Sequence, residues 1–388
     1  MRRIRPTFHP LLERLENRWC PAVTLKQSGD ELHIKGDSLD DTVEIVAQAD
    51  GSLLVTTESG VATFRKVHDL EINLKGGNDT LTIDLTAAPR MKGEIEANMA
   101  LGNDTVTINL GATGGRDDVE IDVNLGAGVN TFDLTAVGVA GNAELEVEVD
   151  GGDQDDTVTI DLGVIGSRAE VELDVDLRHG VNELNLVTGD INDRAELELE
   201  YDGRSGADTA TIEFGNILNR AEVEADVNLG HGLNTASITT GFVANRAEVE
   251  LEVDGGGSLD DVTVTLGDVN GEVELDVDLR NADNNFAFIA GILMSNAELE
   301  LEYEGGDQVD TVALTTGAIF SDAEAEFEVE LDNGDDTVEV TTGTITGDAD
   351  VEVEIDGDGG IDTATITATP PNALDLDLDD MEIVTFTP

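Results

Sequence analysis

Acidic side chains occupy alternate positions in a segment that recurs along this chain about every 26 residues. One copy of the segment runs from Glu170 to Leu177 and reads EVELDVDL. Its second acidic position is glutamate in copy after copy, including Glu146, Glu172, Glu198, Glu224 and Glu250. Carboxylate oxygens suit Ca²⁺, which accepts six to eight oxygen ligands in flexible geometry. The segment therefore predicts a diffuse acidic surface for Ca²⁺ or other cations.

A second group of aspartates stands before the other alternating segment of each repeat, directly ahead of a threonine. Its members are Asp79, Asp104, Asp156, Asp208, Asp310, Asp336 and Asp362. In intervening repeats the same position holds Asn130, Asn182, Asn234 and Asn284. Stacked carboxylates at a turn are suited to hold Ca²⁺. An Asp/Asn alternation also suits a structural ladder, because amides can donate to carboxylates. The sequence leaves both interpretations open.

The charge of the chain restricts its partners. Its 388 residues include 85 Asp plus Glu against 20 Lys plus Arg, a net charge of −65. Nucleic acid and anionic membrane surfaces would be repelled, so cations are the expected partners. The only cysteine, Cys20, excludes an intramolecular disulfide framework. No run approaches 18 apolar residues, and we expect no membrane insertion.

The elements that must position these carboxylates are β-strands. Apolar residues fall at every second position in both segments of a repeat, a period that no helix can place on one face. Between the two segments lies an expected loop, for example 163–168. One repeat cannot bury its apolar stripe alone, whereas stacked repeats can. We therefore predict an all-β, two-sheet parallel β-solenoid of about twelve 26-residue coils. An antiparallel β sandwich or meander is the alternative.

The repeat also divides the chain. Residues 1–26 are basic and are expected to form an export leader or a disordered tail. Residues 27–75 lack the repeat and predict a small antiparallel β cap over the first coil. The solenoid is expected over 76–369, followed by a C-terminal cap over 370–388.

Two motifs resemble known families. The stretch from Leu15 to Ala22, LENRWCPA, resembles the LE-x-R-x-x-PA leader of repeat-rich exported proteins of planctomycete bacteria. The stretch from Gly151, GGDQDDTV, is similar to the haemolysin-type calcium-binding nonapeptide GGxGxDxUx, with Gln154 replacing a glycine. The first resemblance implies an exported or cell-surface protein. The second implies Ca²⁺ between stacked turns of a parallel β-roll, although this chain has one degenerate copy per repeat where the family has pairs.

Catalytic constellations are not evident in the sequence, because identical repeats give acidic pairs identical environments, and an acid/base pair needs different ones. We therefore expect a non-enzymatic, exported structural or surface protein that binds Ca²⁺ or other cations, with cell-envelope or matrix polymers as further partners. The alternative is an adhesin or carbohydrate-binding solenoid that uses its threonine-rich sheet and its loops. We also expect ion pairs between an arginine column and the neighbouring acidic column, for example Arg168 with Glu170.

Overall fold

A computed structural model describes residues 23–88, 92–320, 322–370 and 373–387. The described residues form strands and turns without a helix, and none of them could therefore belong to a membrane-spanning helix. In chain order the strands are β1 (Thr24–Ser28), β2 (Glu31–Lys35), β3 (Thr42–Ala47), β4 (Ser52–Thr57), β5 (Gly60–Arg65), β6 (Asp69–Asn73), β7 (Thr80–Leu85), β8 (Lys92–Asn98), β9 (Thr105–Gly115), β10 (Asp118–Asn124), β11 (Thr131–Gly141), β12 (Glu144–Asp150), β13 (Thr157–Gly166), β14 (Glu170–Asp176), β15 (Glu183–Thr188), β16 (Ile191–Asn192), β17 (Glu196–Asp202), β18 (Thr209–Phe214), β19 (Ile217–Leu218), β20 (Glu222–Asn228), β21 (Asn234–Thr240), β22 (Val243–Asp254), β23 (Asp260–Leu266), β24 (Val269–Asp278), β25 (Asn285–Ala290), β26 (Glu298–Glu304), β27 (Thr311–Thr316), β28 (Glu324–Glu330), β29 (Asn333–Gly334), β30 (Thr337–Thr344), β31 (Asp350–Asp356), β32 (Gly359–Gly360), β33 (Thr363–Thr369), β34 (Asp375–Asp379) and β35 (Ile383–Thr387).

Each coil contributes one strand to each of two long parallel stacks. The acidic sheet is the stack β2, β6, β8, β10, β12, β14, β17, β20, β22, β24, β26, β28, β31 and β34. The threonine sheet is the stack β3, β7, β9, β11, β13, β15, β18, β21, β23, β25, β27, β30, β33 and β35. The parallel solenoid of about twelve repeat coils is confirmed, with shorter coils at both ends, and the antiparallel sandwich is wrong.

The core lies between the two stacks and is mainly aliphatic. Inward-facing residues of successive coils form columns, and Val171, Leu197, Val223 and Val249 are each at most 2% exposed. A stripe that would face water in a single coil is covered by the coils above and below it. Each fully buried Val or Leu side chain contributes about 2 kcal/mol, so stacking supplies the stability that one coil lacks.

A third, narrow parallel stack runs along the segment that we expected to be a loop. Ile165 pairs with Ile191 and Ile191 with Ile217, through β13, β16 and β19. The column continues through Val243 and Val269, and every one of these side chains is buried. An apolar residue recurs there once per coil, and this single inward position is enough to close the side of the core.

The ends of the solenoid differ from the expected caps. Antiparallel pairing is present between β1 and β2 and along β3, β4 and β5. However, β2 and β3 already pair in parallel with β6 and β7, so the stacks begin before residue 76. At the other end, β34 and β35 continue the two stacks in parallel as a further coil. The proposed leader lies outside the described residues, apart from the last few residues of 1–26.

Candidate functional site

The outward side chains of the acidic sheet form four columns, which we call the acidic face. We number the columns along each strand, so that Glu170, Glu172, Asp174 and Asp176 of β14 belong to the first, second, third and fourth columns. Parallel pairing in register places Glu146 beside Glu172, Glu172 beside Glu198, and Glu224 beside Glu250. Across the ten strands from β10 to β31 these columns hold 38 carboxylates, interrupted by Asn124 and Asn228. Stacking sets neighbours about 4.8 Å apart across strands and about 6.7 Å apart along a strand. The five predicted glutamates therefore come together as one exposed row.

Partial burial and the charges of neighbouring carboxylates raise the pKa of several carboxylates on this face. For Glu146 the main cause is partial burial, and the charges of Glu120 and Glu172 add to it. For Glu252 the largest cause is the charge of Asp226 on the next strand. Each of these pKa values is higher than usual because ionisation must occur with less water around the group and beside other anions. A cation that sits between the carboxylates would relieve this repulsion.

Arginines in the turns that follow β14, β17 and β24 partly neutralise the fourth column. The sequence analysis missed these ion pairs. Nη2 of Arg178 lies 2.9 Å from Oδ1 of Asp150, and Nε of Arg204 lies 2.9 Å from Oδ1 of Asp176. Their signal was present in the sequence, because Arg178 follows Asp176 by two residues and Arg280 follows Asp278 by two.

The aspartates that precede a threonine lie inside the solenoid. They and the intervening asparagines, with one member per coil, form what we call the Asp/Asn ladder: Asp41, Asp79, Asp104, Asn130, Asp156, Asn182, Asp208, Asn234, Asp260, Asn284, Asp310, Asp336 and Asp362. Every member is at most 1% exposed. At most steps one backbone N–H donates to Oδ1 of the next member, as from Asn182 to Asp208 at 2.8 Å. Asp41 and Asp260 belong to the ladder but were not predicted.

Burial raises the pKa of the ladder carboxylates, which have exchanged water for backbone donors. It raises the pKa of Asp79, Asp208, Asp310 and Asp336 to about 6. In Asp156 the second oxygen accepts the Gly152 N–H at 2.8 Å. Among the described residues, Oδ2 is buried without a hydrogen-bond partner in Asp79, Asp104, Asp208, Asp336 and Asp362.

This geometry does not fit the expected calcium ligands at the turns. Ca²⁺ needs six to eight oxygens, whereas Oδ1 of each ladder aspartate from Asp79 to Asp362 already accepts a hydrogen bond from a neighbouring coil. The inward direction has a simple cause. Each ladder residue stands two positions before a buried strand residue, as Asp156 stands before Val158. Residues two apart in an extended chain point to the same side, so the ladder residue also points inward.

Two smaller groups of ligand atoms lie at the ends of the acidic sheet. Glu31, His33 and Glu71 bring their ligand atoms within 4.8 Å of one another, with His33 Nδ1 2.5 Å from Glu71 Oε2. Asp356, Asp358 and Asp380 form a similar group near the last coil. Both groups continue the acidic face, because Glu71 pairs with Glu96 in the third column and Asp356 belongs to the fourth.

The outward side of the threonine sheet carries partial columns of hydroxyls. Thr105, Thr131 and Thr157 stand in register, as do Thr209 and Thr235. Acidic residues interrupt the columns, for example Glu183 between Thr157 and Thr209. This sheet therefore offers short hydroxyl patches and no continuous array.

Comparisons of the chain with protein-family models, with curated proteins and with solved structures find no match. The fold itself defines the class, which is a parallel β-solenoid repeat protein with one acidic sheet. The similarities to the planctomycete leader and to the haemolysin-type nonapeptide stay predictions.

Proposed function

We propose that this protein is a non-enzymatic structural element of a cell surface or extracellular matrix, and that its acidic face binds Ca²⁺ or other cations. The observation that carries the proposal is the in-register stacking of four carboxylate columns over ten strands. Export of the protein is part of the proposal and rests on the leader motif.

Electrostatics favours cation uptake by such a face. Two carboxylates about 4.8 Å apart repel by about 0.9 kcal/mol in bulk water, and each inner glutamate of a column has two such neighbours. A divalent ion between adjacent columns replaces repulsion with attraction on several sides at once. Ca²⁺ suits this surface better than Mg²⁺, because Mg²⁺ demands near-ideal octahedral geometry and dehydrates reluctantly.

The binding is diffuse, since each coil repeats nearly the same group of oxygens. The Asp/Asn ladder stays outside the proposal, because it is buried and Oδ1 of its aspartates from Asp79 to Asp362 already accepts hydrogen bonds from neighbouring coils. Uniform environments also argue against catalysis, which needs paired carboxylates of unlike pKa. Ions held at the surface can be shared with acidic polymers of the envelope or matrix or with neighbouring molecules, which gives the solenoid a structural role.

A calcium titration tests the proposal. The melting temperature is followed by circular dichroism while CaCl₂ is added to EDTA-treated protein, and an NaCl series of equal ionic strength measures plain screening. We expect Ca²⁺ to raise the melting temperature well beyond the matched NaCl series, and EDTA to reverse the effect. Identical responses to both salts would overturn the proposal.

A pair of variants assigns the effect to the face. The column variant replaces Glu146, Glu172, Glu198, Glu224 and Glu250 with glutamine. The matched control removes the same charge from isolated positions of the threonine sheet, with Asp161→Asn, Glu183→Gln, Glu213→Gln, Asp261→Asn and Glu339→Gln. The calcium-specific rise should shrink in the column variant and persist in the control. An equal loss in both would refute binding at the acidic face.

A further inference from the structure

Four arginines in successive coils stand apart from the acidic residues that dominate this chain. We call Arg168, Arg194, Arg220 and Arg246 the arginine row. All four are exposed and occupy equivalent positions, two residues before the first acidic column. The expected ion pairs, such as Arg168 with Glu170, are wrong. Among the described residues, no carboxylate oxygen lies within 4.0 Å of these four guanidinium groups.

The backbone at this position does not favour arginine. Arg168 has φ of 66° and its predecessor Ser167 has φ of 59°, and the Ala169 N–H donates to Gly166 O at 3.3 Å. A tight turn with two left-handed residues prefers Gly, Asn or Asp. Later coils follow that preference, with Asn296 and Asp322 at the equivalent position. Arginines in four successive coils therefore occupy a turn position that Gly, Asn or Asp would favour. Their side chains must supply an advantage that compensates for this backbone cost.

The row borders an open groove. A groove of about 770 Å³ is lined by Arg168, Arg194 and Arg220 together with Asn142, Ser167 and Asp193. Arg246 lines an adjoining groove of about 390 Å³. Side-chain hydrogen bonds between coils order the polar lining. Nδ2 of Asn219 donates to Asp193, and Nδ2 of Asn245 donates to Asn219.

We propose that the arginine row is a binding site for a linear acidic polysaccharide that carries carboxylate or sulfate groups. Guanidinium forks bind such groups through two parallel hydrogen bonds. Their repeat of about 4.8 Å presents a line of cations to a line of anions. The neighbouring amide and hydroxyl groups supply partners for sugar hydroxyls. This site requires no Ca²⁺ and is independent of the function proposed for the acidic face.

Charge favours this occupant over two others. The acidic sheet of a second copy brings the repulsion of another −65 body. Duplex DNA carries one charge per about 1.7 Å of its axis, so the acidic remainder of the protein repels it strongly. A thin chain with separate charges can contact Arg168, Arg194 and Arg220 in the larger groove, where Asp193 is the one carboxylate of the lining.

Binding assays with defined polymers test the site. Polygalacturonate and dextran sulfate are the probes, neutral dextran is the blank, and EDTA in every buffer removes ion bridging. We expect both polyanions to bind at low ionic strength, to bind more weakly at about 0.15 M salt because the contacts are exposed, and neutral dextran not to bind. Failure of wild-type protein to bind either polyanion at low salt would overturn the proposal.

Matched variants locate the contact. Replacing the four arginines with glutamine should weaken binding at least about tenfold, a loss of about 1.4 kcal/mol. Replacing them with lysine keeps the charge but not the planar fork, and should give intermediate affinity. The control replaces four lysines at the N-terminal end with glutamine: Lys26, Lys35, Lys66 and Lys92. It removes the same charge and should bind like wild type, and equal losses in the two glutamine variants would refute the site.

Circular dichroism and melting temperature establish that each variant is folded, so that lost binding reports the groove. Two further measurements, sedimentation velocity and DNA binding, test the two other occupants. Sedimentation velocity without polymer should show the same mass for wild type and the arginine variant. Self-association that disappears in the arginine variant would instead make a second copy the occupant. Duplex DNA that binds as tightly as polygalacturonate would equally overturn the assignment to acidic polysaccharide.

Discussion

Neutralising one column of the acidic face should stabilise the protein, because neighbouring carboxylates of the column repel one another in the folded state. The perturbation is the column variant, in which five stacked glutamates from Glu146 to Glu250 become glutamine. Each has two neighbours in its column and two along its strand, all of them acidic. The change therefore removes six repulsive pairs within the column and ten along the strands.

The size of the effect follows from these distances. Pairs about 4.8 Å apart repel by about 0.9 kcal/mol in bulk water and pairs about 6.7 Å apart by about 0.6 kcal/mol, roughly 11 kcal/mol in total. Counterions screen at least half of this in moderate salt. The unfolded chain keeps part of the remainder, because residues along a strand stay close in sequence. The expected gain in the free energy of unfolding is therefore about 2–4 kcal/mol in moderate salt, and it is larger at low salt.

Urea unfolding followed by circular dichroism measures this gain in buffers of low ionic strength and in about 1 M NaCl, where the Debye length falls to about 3 Å. The gain should be present at low salt and nearly vanish at high salt. The threonine-sheet control, whose five carboxylates have uncharged neighbours across the strands, should change stability little in either buffer. A column variant that is no more stable than the control at low salt would refute the electrostatic account.

Three other predictions concern the interior and the turns. Ladder aspartates such as Asp79 have a pKa of about 6 in the folded protein, against a reference value of 3.8. Between these two pH values the folded protein therefore binds more protons than the unfolded chain. Their stabilising contribution is complete below pH 3.8 and is lost as pH rises through 6, so the melting temperature should be higher at pH 5 than at pH 7.5, and the opposite order would contradict the raised pKa values. Asp208→Ala should lower stability by about 1–3 kcal/mol because the Asn182 N–H loses its acceptor, whereas Asp208→Asn keeps an acceptor and should fold with near-normal stability in urea unfolding; equal losses would contradict the ladder. Gly232→Ala should lower the melting temperature sharply, since a Cβ there would lie 1.2 Å from Gly206 O, while Gly257→Ala meets no atom within 4 Å and should be tolerated; similar melting temperatures would contradict the packing of the turns.

The repeat made most of the fold predictable. A period of 2 assigns each strand residue to one face, and a period of about 26 assigns its partners in the coils above and below. Together these two periods predicted that Val171 stacks on Leu197 inside and that Glu172 stacks on Glu198 outside, as the structure has them. The boundaries of the caps were less certain, because β2 and β3 pair in parallel without sharing the repeat spacing.

The turns were harder to interpret, because a motif there states residue types but not side-chain directions. Asp156 fits a calcium nonapeptide by its neighbours in sequence, yet in three dimensions it accepts backbone hydrogen bonds inside the solenoid. The sequence did indicate the inward direction of Asp156, because this residue stands two positions before the apolar Val158. The spacing of 26 residues from Asn234 likewise indicated that Asp260 belongs to the ladder.

By itself, the sequence determined the strands, the stacking partners and the acidic columns, since alternation and repeat length are properties of the chain alone. Only the tertiary structure decided that Ile165 and Ile191 close a third side, that the Asp/Asn ladder is buried, and that Arg168 is free of Glu170. These features depend on how the chain turns between strands. A left-handed residue such as Arg168 breaks the alternation, and side-chain direction then follows the path of the backbone and not the count of residues.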